Sequence, residues 1–321
     1  MKRSVFLVLV SAIMSVVGCQ KDKIDKEVVM FMTTVISGDM NIYMVGSGTF
    51  TIDWGDGSAK ETKTLQNYSD NWAISSKHRY THSYSSASSH NISIICEDIT
   101  HFKCVDSQLT SLGVSINTAL TELICFSNQL TFLNVNYNTA LTYLDCGNNQ
   151  LTSLDVSKNT ALTYFACGSN QLTSLDVSKN AALWIFACSS NQLTSLDMNK
   201  NTALWFFECS SNLLTSLDVS NNTVLRNIDC SSNQLTSLDV NNTALMYLNC
   251  NSNQLTSLDV SKNNLLAGLN CSYNELTSSA LNALFGTLND NDKEKSIHIG
   301  DNPGTNSCDL SIATDKGWIF D

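Results

Sequence analysis

The chain has 321 residues, with 18 Lys+Arg against 29 Asp+Glu, a formal charge of −11 and 43% hydrophobic residues. That apolar share can fill a core, which excludes wholesale disorder, and the negative balance excludes a basic nucleic-acid binder. One proline excludes collagen-like and proline-rich architectures, while 36 asparagines beside only 15% charged residues point to amides and hydroxyls rather than ion pairs.

The chain opens on Lys2 and Arg3, followed by an apolar run from Val5 to Val17. That run is too short to span a bilayer as a helix and fits the apolar segment of a secretory signal. It ends Val16-Val17-Gly18-Cys19, which resembles the lipobox of bacterial lipoproteins. The resemblance implies a signal peptide over 1–18, lipidation of Cys19, a charged tether over 19–28, and an outer-membrane lipoprotein at the cell surface. The membrane partner is then reached through the N-terminal lipid, because no other segment is apolar for long enough to span.

Residues 29–97 read as strands. Phe50, Ile52 and Trp54 alternate with Thr51 and Asp53, the period-2 pattern of a half-buried strand. Asp53-Trp54-Gly55-Asp56-Gly57-Ser58 follows as a turn, with two glycines free to take positive φ. His82-Ser83-Tyr84 and Asn91 to Ile95 supply later strands. The Asp-Trp-Gly-Asp-Gly and His-Ser-Tyr elements resemble a PKD-like β-sandwich, which implies a spacer or stalk. His78 and His82 flank Tyr80 in this β context and are expected to be solvated rather than metal ligands.

Internal repetition carries most of the chain. Cysteines fall at 104, 125, 146, 167, 188, 209, 230, 250 and 271, every 21 residues except for one interval of 20. A unit reads Leu162-x-x-Phe165-x-Cys167-x-x-Asn170-x-Leu172-x-x-Leu175-x-Val177-x-x-Asn180. A single turn of this kind cannot offset the entropy of ordering its own backbone, so turns must stack and share faces. With strands about 4.8 Å apart, eight steps give a core about 40 Å long. One asparagine file runs Asn128, Asn149, Asn170, Asn191, Asn212, Asn233, Asn253 and Asn274, and a second runs Asn117, Asn138, Asn159, Asn180, Asn201, Asn222 and Asn263. An inward Asn at a bend can satisfy backbone groups the bend leaves unpaired. The cysteines lack the close pairing of zinc sites, and in-register parallel neighbours seldom meet disulfide geometry, so they read as a buried, reduced ladder. Cys96 and Cys308 stand outside it, with their state left open.

The repeat resembles bacterial 21-residue leucine-rich repeats of the internalin type, the cysteine-bearing internalin J type most closely, over residues 104–276. The fold class expected is therefore mainly β: a PKD-like sandwich over 29–97, a curved leucine-rich-repeat β-solenoid over 98–276, and a small α/β cap over 277–321. In the cap, Leu281, Leu284 and Phe285 form an i, i+3, i+4 stripe with Gly286 as a stop, Ser296 to Ile299 is strand-like, and Asp309 to Lys316 forms a short helix.

Each turn has two strand-like halves whose outward positions differ. The second half repeats Thr-Ser and then Asp, at Asp155, Asp176, Asp197, Asp218, Asp239 and Asp259, and reads as scaffold. The first half varies, and the resemblance implies that it lines a concave binding face. Its outward positions give a candidate patch of Tyr143, Tyr164, Trp184, Ile185, Trp205, Phe206 and Tyr247, with small Ala166 and Ala187 between. Contiguous exposed aromatics mark interaction sites. The expected partner is a protein, glycoprotein or glycan, bound in adhesion or, alternatively, in glycan capture for nutrient uptake. Neither a nucleophile elbow, an HExxH pair nor a phosphate-binding glycine loop occurs, so no enzyme, cofactor, metal or nucleic acid is expected.

Overall fold

The computed structural model describes residues 28–67, 76–290 and 294–320; the signal segment, Cys19 and almost all of the tether lie outside them. Six strands open the fold: β1 (Val28–Thr34), β2 (Gly38–Asp53), β3 (Glu61–Thr64), β4 (Arg79–Tyr84), β5 (His90–Lys103) and β6 (Leu109–Gly113). The period-2 reading of the second strand holds: Phe50, Ile52 and Trp54 are buried, as are Met40, Ile42 and Met44 before them. The turn after it has Gly55 at φ 76° and Gly57 at φ 86°. Asp53 and Asp56 each accept a hydrogen bond from the backbone N–H two residues on, at 3.0 Å. Trp54 is fixed at both ends, its Nε1 donating to Glu61 at 2.8 Å and its carbonyl accepting from the Tyr84 hydroxyl at 2.7 Å.

The hydrogen bonds of these strands do not build two separate sheets. β5 pairs with β1, and β1 with β6, along one path, while β2 branches from β5 and carries β3 and β4 in the same sheet. β5 runs unbroken across position 97, where a boundary is expected. Its first half pairs antiparallel with β1, Cys96 facing Val28, and its second half pairs parallel with the first repeat strand, His101 facing Glu122. The N-terminal unit therefore supplies the strand on which the solenoid starts. The expectation of solvated histidines needs correction: His78 is buried with Nε2 3.0 Å from the Asn67 carbonyl, and His82 stacks on Trp54 with Nε2 2.7 Å from Asp56.

The repeats then add one three-residue strand per coil: β7 (Glu122–Ile124), β8 (Tyr143–Asp145), β9 (Tyr164–Ala166), β10 (Ile185–Ala187), β11 (Phe206–Glu208), β12 (Asn227–Asp229), β13 (Tyr247–Asn249) and β14 (Gly268–Asn270). All pair parallel and in register. Middle residues point inward, and Phe165, Phe186 and Phe207 stack at 5.4 and 5.5 Å as a buried spine. The ladder cysteines from Cys104 to Cys271 are buried and unpaired, and Cys96, also buried, accepts from Asn117 at 3.5 Å. Burial raises each ladder thiol pKa, that of Cys104 to about 12.

Both asparagine files act as read. Asn149 Oδ1 accepts from Leu130 N at 3.0 Å, while its Nδ2 donates to the carbonyls of Cys125, Cys146 and Gly147. The residue before each such Asn is left-handed, as at Ser169 (φ 54°) and Ser190 (φ 58°). A non-glycine residue there costs about 1 kcal/mol, which the amide bonds offset. In the second file Asn159 Nδ2 donates to Val135 and Asn138 carbonyls. Asn242, absent from the sequence reading of that file, does the same toward Val219 and Asn222.

The second half of each coil is extended but makes no strand ladder, apart from β6 and one bridge between Asp218 and Asp239. One backbone bond per coil, such as Gln150 N to Leu130 O at 2.8 Å, suffices. The cap continues the coils. Helix α1 (Ser278–Thr287) buries Leu281, Leu284 and Phe285 and runs through Gly286 rather than stopping there. Strands β15 (Lys295–His298) and β16 (Trp318–Phe320) extend the parallel ladder, with the four-residue helix α2 (Ser311–Thr314) between them. Asn302 repeats the first file, accepting from Leu276 N and donating to Cys271 and Ile299 carbonyls. Lys316 Nζ donates to the carbonyls of Phe285, Gly286 and Leu288, closing the C-terminal end of α1 with a positive charge.

Candidate functional site: the strand face

Register places the first outward position of every strand in one file. It runs His101, Glu122, Tyr143, Tyr164, Ile185, Phe206, Asn227, Tyr247, Gly268 and Ser296. Five of the seven expected patch residues stand in it. Trp184 and Trp205 precede their strands by one residue and form a second, parallel row. Tyr143 and Tyr164 stack at 4.0 Å with their planes 2° apart, and Trp184 and Trp205 at 5.1 Å and 27°. Trp184 is 50% exposed and Tyr247 51%; Tyr143, Tyr164, Ile185, Trp205 and Phe206 are half-buried. The seven residues therefore form two adjacent rows of unequal exposure.

Its two ends differ. Tyr143 packs on a small satellite cluster of Val45, Ile124 and Phe126 where the N-terminal unit meets the first coils. Burial, and then the neighbouring Tyr164 hydroxyl, push its phenol pKa up. Tyr247 lies apart, beyond Asn227, with its ring over Gly268, where a Cβ would sit 2.8 Å from Tyr247 Cδ1. Any larger residue at 268 would lift that ring.

The Trp pair interrupts a structural pattern. Thr121, Thr142 and Thr163 each donate through Oγ1 to the carbonyl of the corresponding Thr one coil earlier. The next positions in that row are Trp184, Trp205, Arg226 and Met246, whose side chains reach outward instead. The row thus changes from self-binding hydroxyls to exposed rings at the middle of the solenoid.

The second outward file runs Ile124, Asp145, Ala166, Ala187, Glu208, Asp229, Asn249, Asn270 and His298. Most of its polar members are occupied. Asp145 accepts from Gly147 N at 3.1 Å; Asp229 accepts from Ser231 N and Oγ and from Asn249 Nδ2; Asn270 accepts from Ser272. The Glu208 backbone carbonyl accepts from Cys188 N at 2.8 Å, but its carboxylate makes no hydrogen bond or ion pair among the described residues. Burial and the adjacent Asp229 raise its carboxyl pKa. Between Phe206 and His298 these two files enclose an open groove of about 370 Å³, floored by Glu208, Asp229 and Asn270 and walled by Phe206 and Tyr247. The sequence marks Glu208 only as an acid next to an aromatic, with nothing to say that it is unoccupied.

A larger groove, about 730 Å³, runs along the second half of the coils beside Phe132, Asp155, Asp176 and Asp197. Phe132 is 65% exposed in a row otherwise held by serine, a local departure from the repeat. The aspartates there are structural: each accepts from the backbone N–H two residues on, at 2.9 Å for Asp155, 2.8 Å for Asp176 and 2.9 Å for Asp197. These bonds hold the pKa of Asp155, Asp176, Asp218 and Asp259 below the usual range. The strand face keeps the uncommitted groups, so it is the better candidate.

No family model and no curated relative matches the chain. Among solved structures, the functional domain of InlJ from Listeria monocytogenes, which includes a cysteine ladder, is 41% identical at TM-score 0.61, over 67% of this chain and 47% of that one. A leucine-rich-repeat protein of Leptospira interrogans is 23% identical at TM-score 0.51, over 55% of this chain and 48% of that one. YopM, a leucine-rich effector protein from Yersinia pestis, is 23% identical at TM-score 0.53, over 63% of this chain and 55% of that one. The chain thus spans about half the length of each. The latter two likenesses concern the fold alone. Stacked coils, few helices and a buried cysteine ladder make this a leucine-rich-repeat β-solenoid whose structural neighbours include internalin-type proteins.

Proposed function

We propose that this protein is a non-catalytic recognition protein of a bacterial cell surface, which binds a protein ligand through the strand face of its repeats. The N-terminal unit, with its PKD-like elements, serves as the spacer, and a lipid on Cys19 as the outer-membrane anchor. The observation that carries the reading is the stacking of the exposed rings. Trp184 lies on Trp205 and Tyr143 on Tyr164, so each of these rings gives one face to its neighbour. Sugar rings stack on open aromatic faces, whereas carbonyls and side chains of a protein meet the positive ring edge. With those faces already taken, the patch favours a protein, or the protein core of a glycoprotein, over free glycan capture.

The test is binding of the purified chain from Gln20 onward to an array of glycoproteins, mucins included, with free oligosaccharides as competitors. Binding that disappears in Trp184→Ala/Trp205→Ala and resists sugar competition is the expected result. Full binding by that double variant sinks the strand-face reading, and competition by oligosaccharide moves it to glycan capture. Anchoring is tested separately: palmitate labelling of the expressed full chain is expected to vanish in Cys19→Ala.

A further inference from the structure

We infer that the groove between Phe206 and His298 receives a basic side chain of the protein partner, an arginine or lysine whose cationic head pairs with the Glu208 carboxylate while its stem lies between Phe206 and Tyr247. This rests on the strand-face reading above and specifies what the partner brings to it.

The argument is one of occupancy. Across the coils, carboxylates are consumed locally: Asp155, Asp176, Asp197, Asp218, Asp239 and Asp259 each hold a turn N–H. On the strand face Asp145 and Asp229 do likewise. Glu208 has one more methylene than these, stands where its neighbours on both preceding coils are alanine, and closes no turn. Its charge is half-buried beside a second carboxylate, a placement that costs energy until a cation arrives.

The surroundings suit a cation with an aliphatic stem. Phe206 is two residues before Glu208 on the same strand face, and Tyr247 lies across the groove. Apolar ring surface lines a stem, and the negative faces of aromatic rings attract a positive head. The groups facing Glu208 are Asp229 beside it and His298 at the far end; Arg226, on the neighbouring row, has Nη1 at 4.0 Å from Met246 Sδ and makes no ion pair with Glu208. The chain's charge of −11 attracts a basic segment before contact.

The probe is an acetylated, amidated tetra-arginine peptide, with the neutral tetra-citrulline peptide as its shape-matched control, titrated calorimetrically into the purified protein at low salt. Glu208→Gln is compared with Asp218→Asn, which removes the same charge far from the groove and keeps the turn acceptor. We expect at least fivefold weaker tetra-arginine binding in Glu208→Gln, a change under twofold in Asp218→Asn, and no binding of tetra-citrulline. Equal weakening in both variants, indifference to Glu208→Gln, or absence of tetra-arginine binding to the wild type overturns the inference. Melting temperatures of both variants check the fold. If Trp184→Ala/Trp205→Ala abolishes macromolecular binding while Glu208→Gln leaves tetra-arginine binding intact, the strand-face reading stands and this one falls. Retained macromolecular binding in the Trp variant with loss in Glu208→Gln would show the reverse.

Discussion

Trp184 and Trp205 stack across two adjacent coils at 5.1 Å, and the backbone carbonyl of Trp184 accepts from both Trp205 N and Phe206 N. Two neighbouring rings, one exposed and one half-buried, are thereby mounted on one rigid ladder. The pair is held by sequence-distant register rather than by a loop, so its geometry does not wait on a ligand.

That coupling is measurable without a ligand. A double-mutant cycle of Trp184→Ala and Trp205→Ala, read by urea unfolding, should give a coupling of about 0.5–1.5 kcal/mol. Strict additivity would mean the rings do not interact in solution.

The first asparagine file and the residue before it should respond in opposite directions. Asn191→Ala strips the bonds to the Cys167, Cys188 and Ser189 carbonyls and to Leu172 N, and should cost about 2–4 kcal/mol. Ser190→Gly, at φ 58°, should instead stabilise by about 0.5–1 kcal/mol. Denaturation midpoints of the two variants decide.

The ladder thiols should be silent in the folded state. Buried and raised in pKa, they should resist a thiol reagent that reaches partly exposed Cys308, and become reactive together in denaturant. Cys167→Ser should be worse than Cys167→Ala by about 1–2 kcal/mol, since a buried hydroxyl wants a partner and a methyl does not.

Two carboxylates should tilt stability against pH in opposite senses. Glu208 has a raised pKa, so its charge opposes folding above that value and the penalty disappears once it is protonated; Glu208→Gln should melt higher at pH 7 and like wild type near pH 4. Asp56 is held far below its usual value by Ser58 first and then His82, so its contribution exists above the ordinary Asp range and fades as pH falls below it. Asp56→Asn should flatten the acid limb of the wild-type profile.

Much of this was legible because identical units must bury identical faces. The Cys phase fixed the coil, and residues two apart on one strand had to share a side. The misses have local physical causes. Asn242 escaped because the coil after Cys230 is one residue short, which moves the Asn out of phase without moving its amide. Asn302 looked like part of a Pro-Gly turn because Ile299, three residues before it, takes the place of the ladder cysteine and leaves the register unmarked. The second half of each coil alternates like a strand, but it shares only about one backbone bond with the next coil, too few to make a ladder. His78 is buried by the Asn67 segment, a contact 11 residues away that no pattern announces. For the face itself, the rings are visible in the repeat's outward positions, while only geometry shows which carboxylates are already occupied.

The in-register coils between β5 and α1 also make length a free variable. A whole 21-residue unit can be inserted or removed in the middle with every ladder resuming on the next coil, because neither end contributes to the interior pattern. The coil between Cys230 and Cys250 shows that even a single deletion is absorbed at its bend, near Asn242. The reach of the face, and the number of outward positions it offers, can therefore change by duplication while both termini stay sealed.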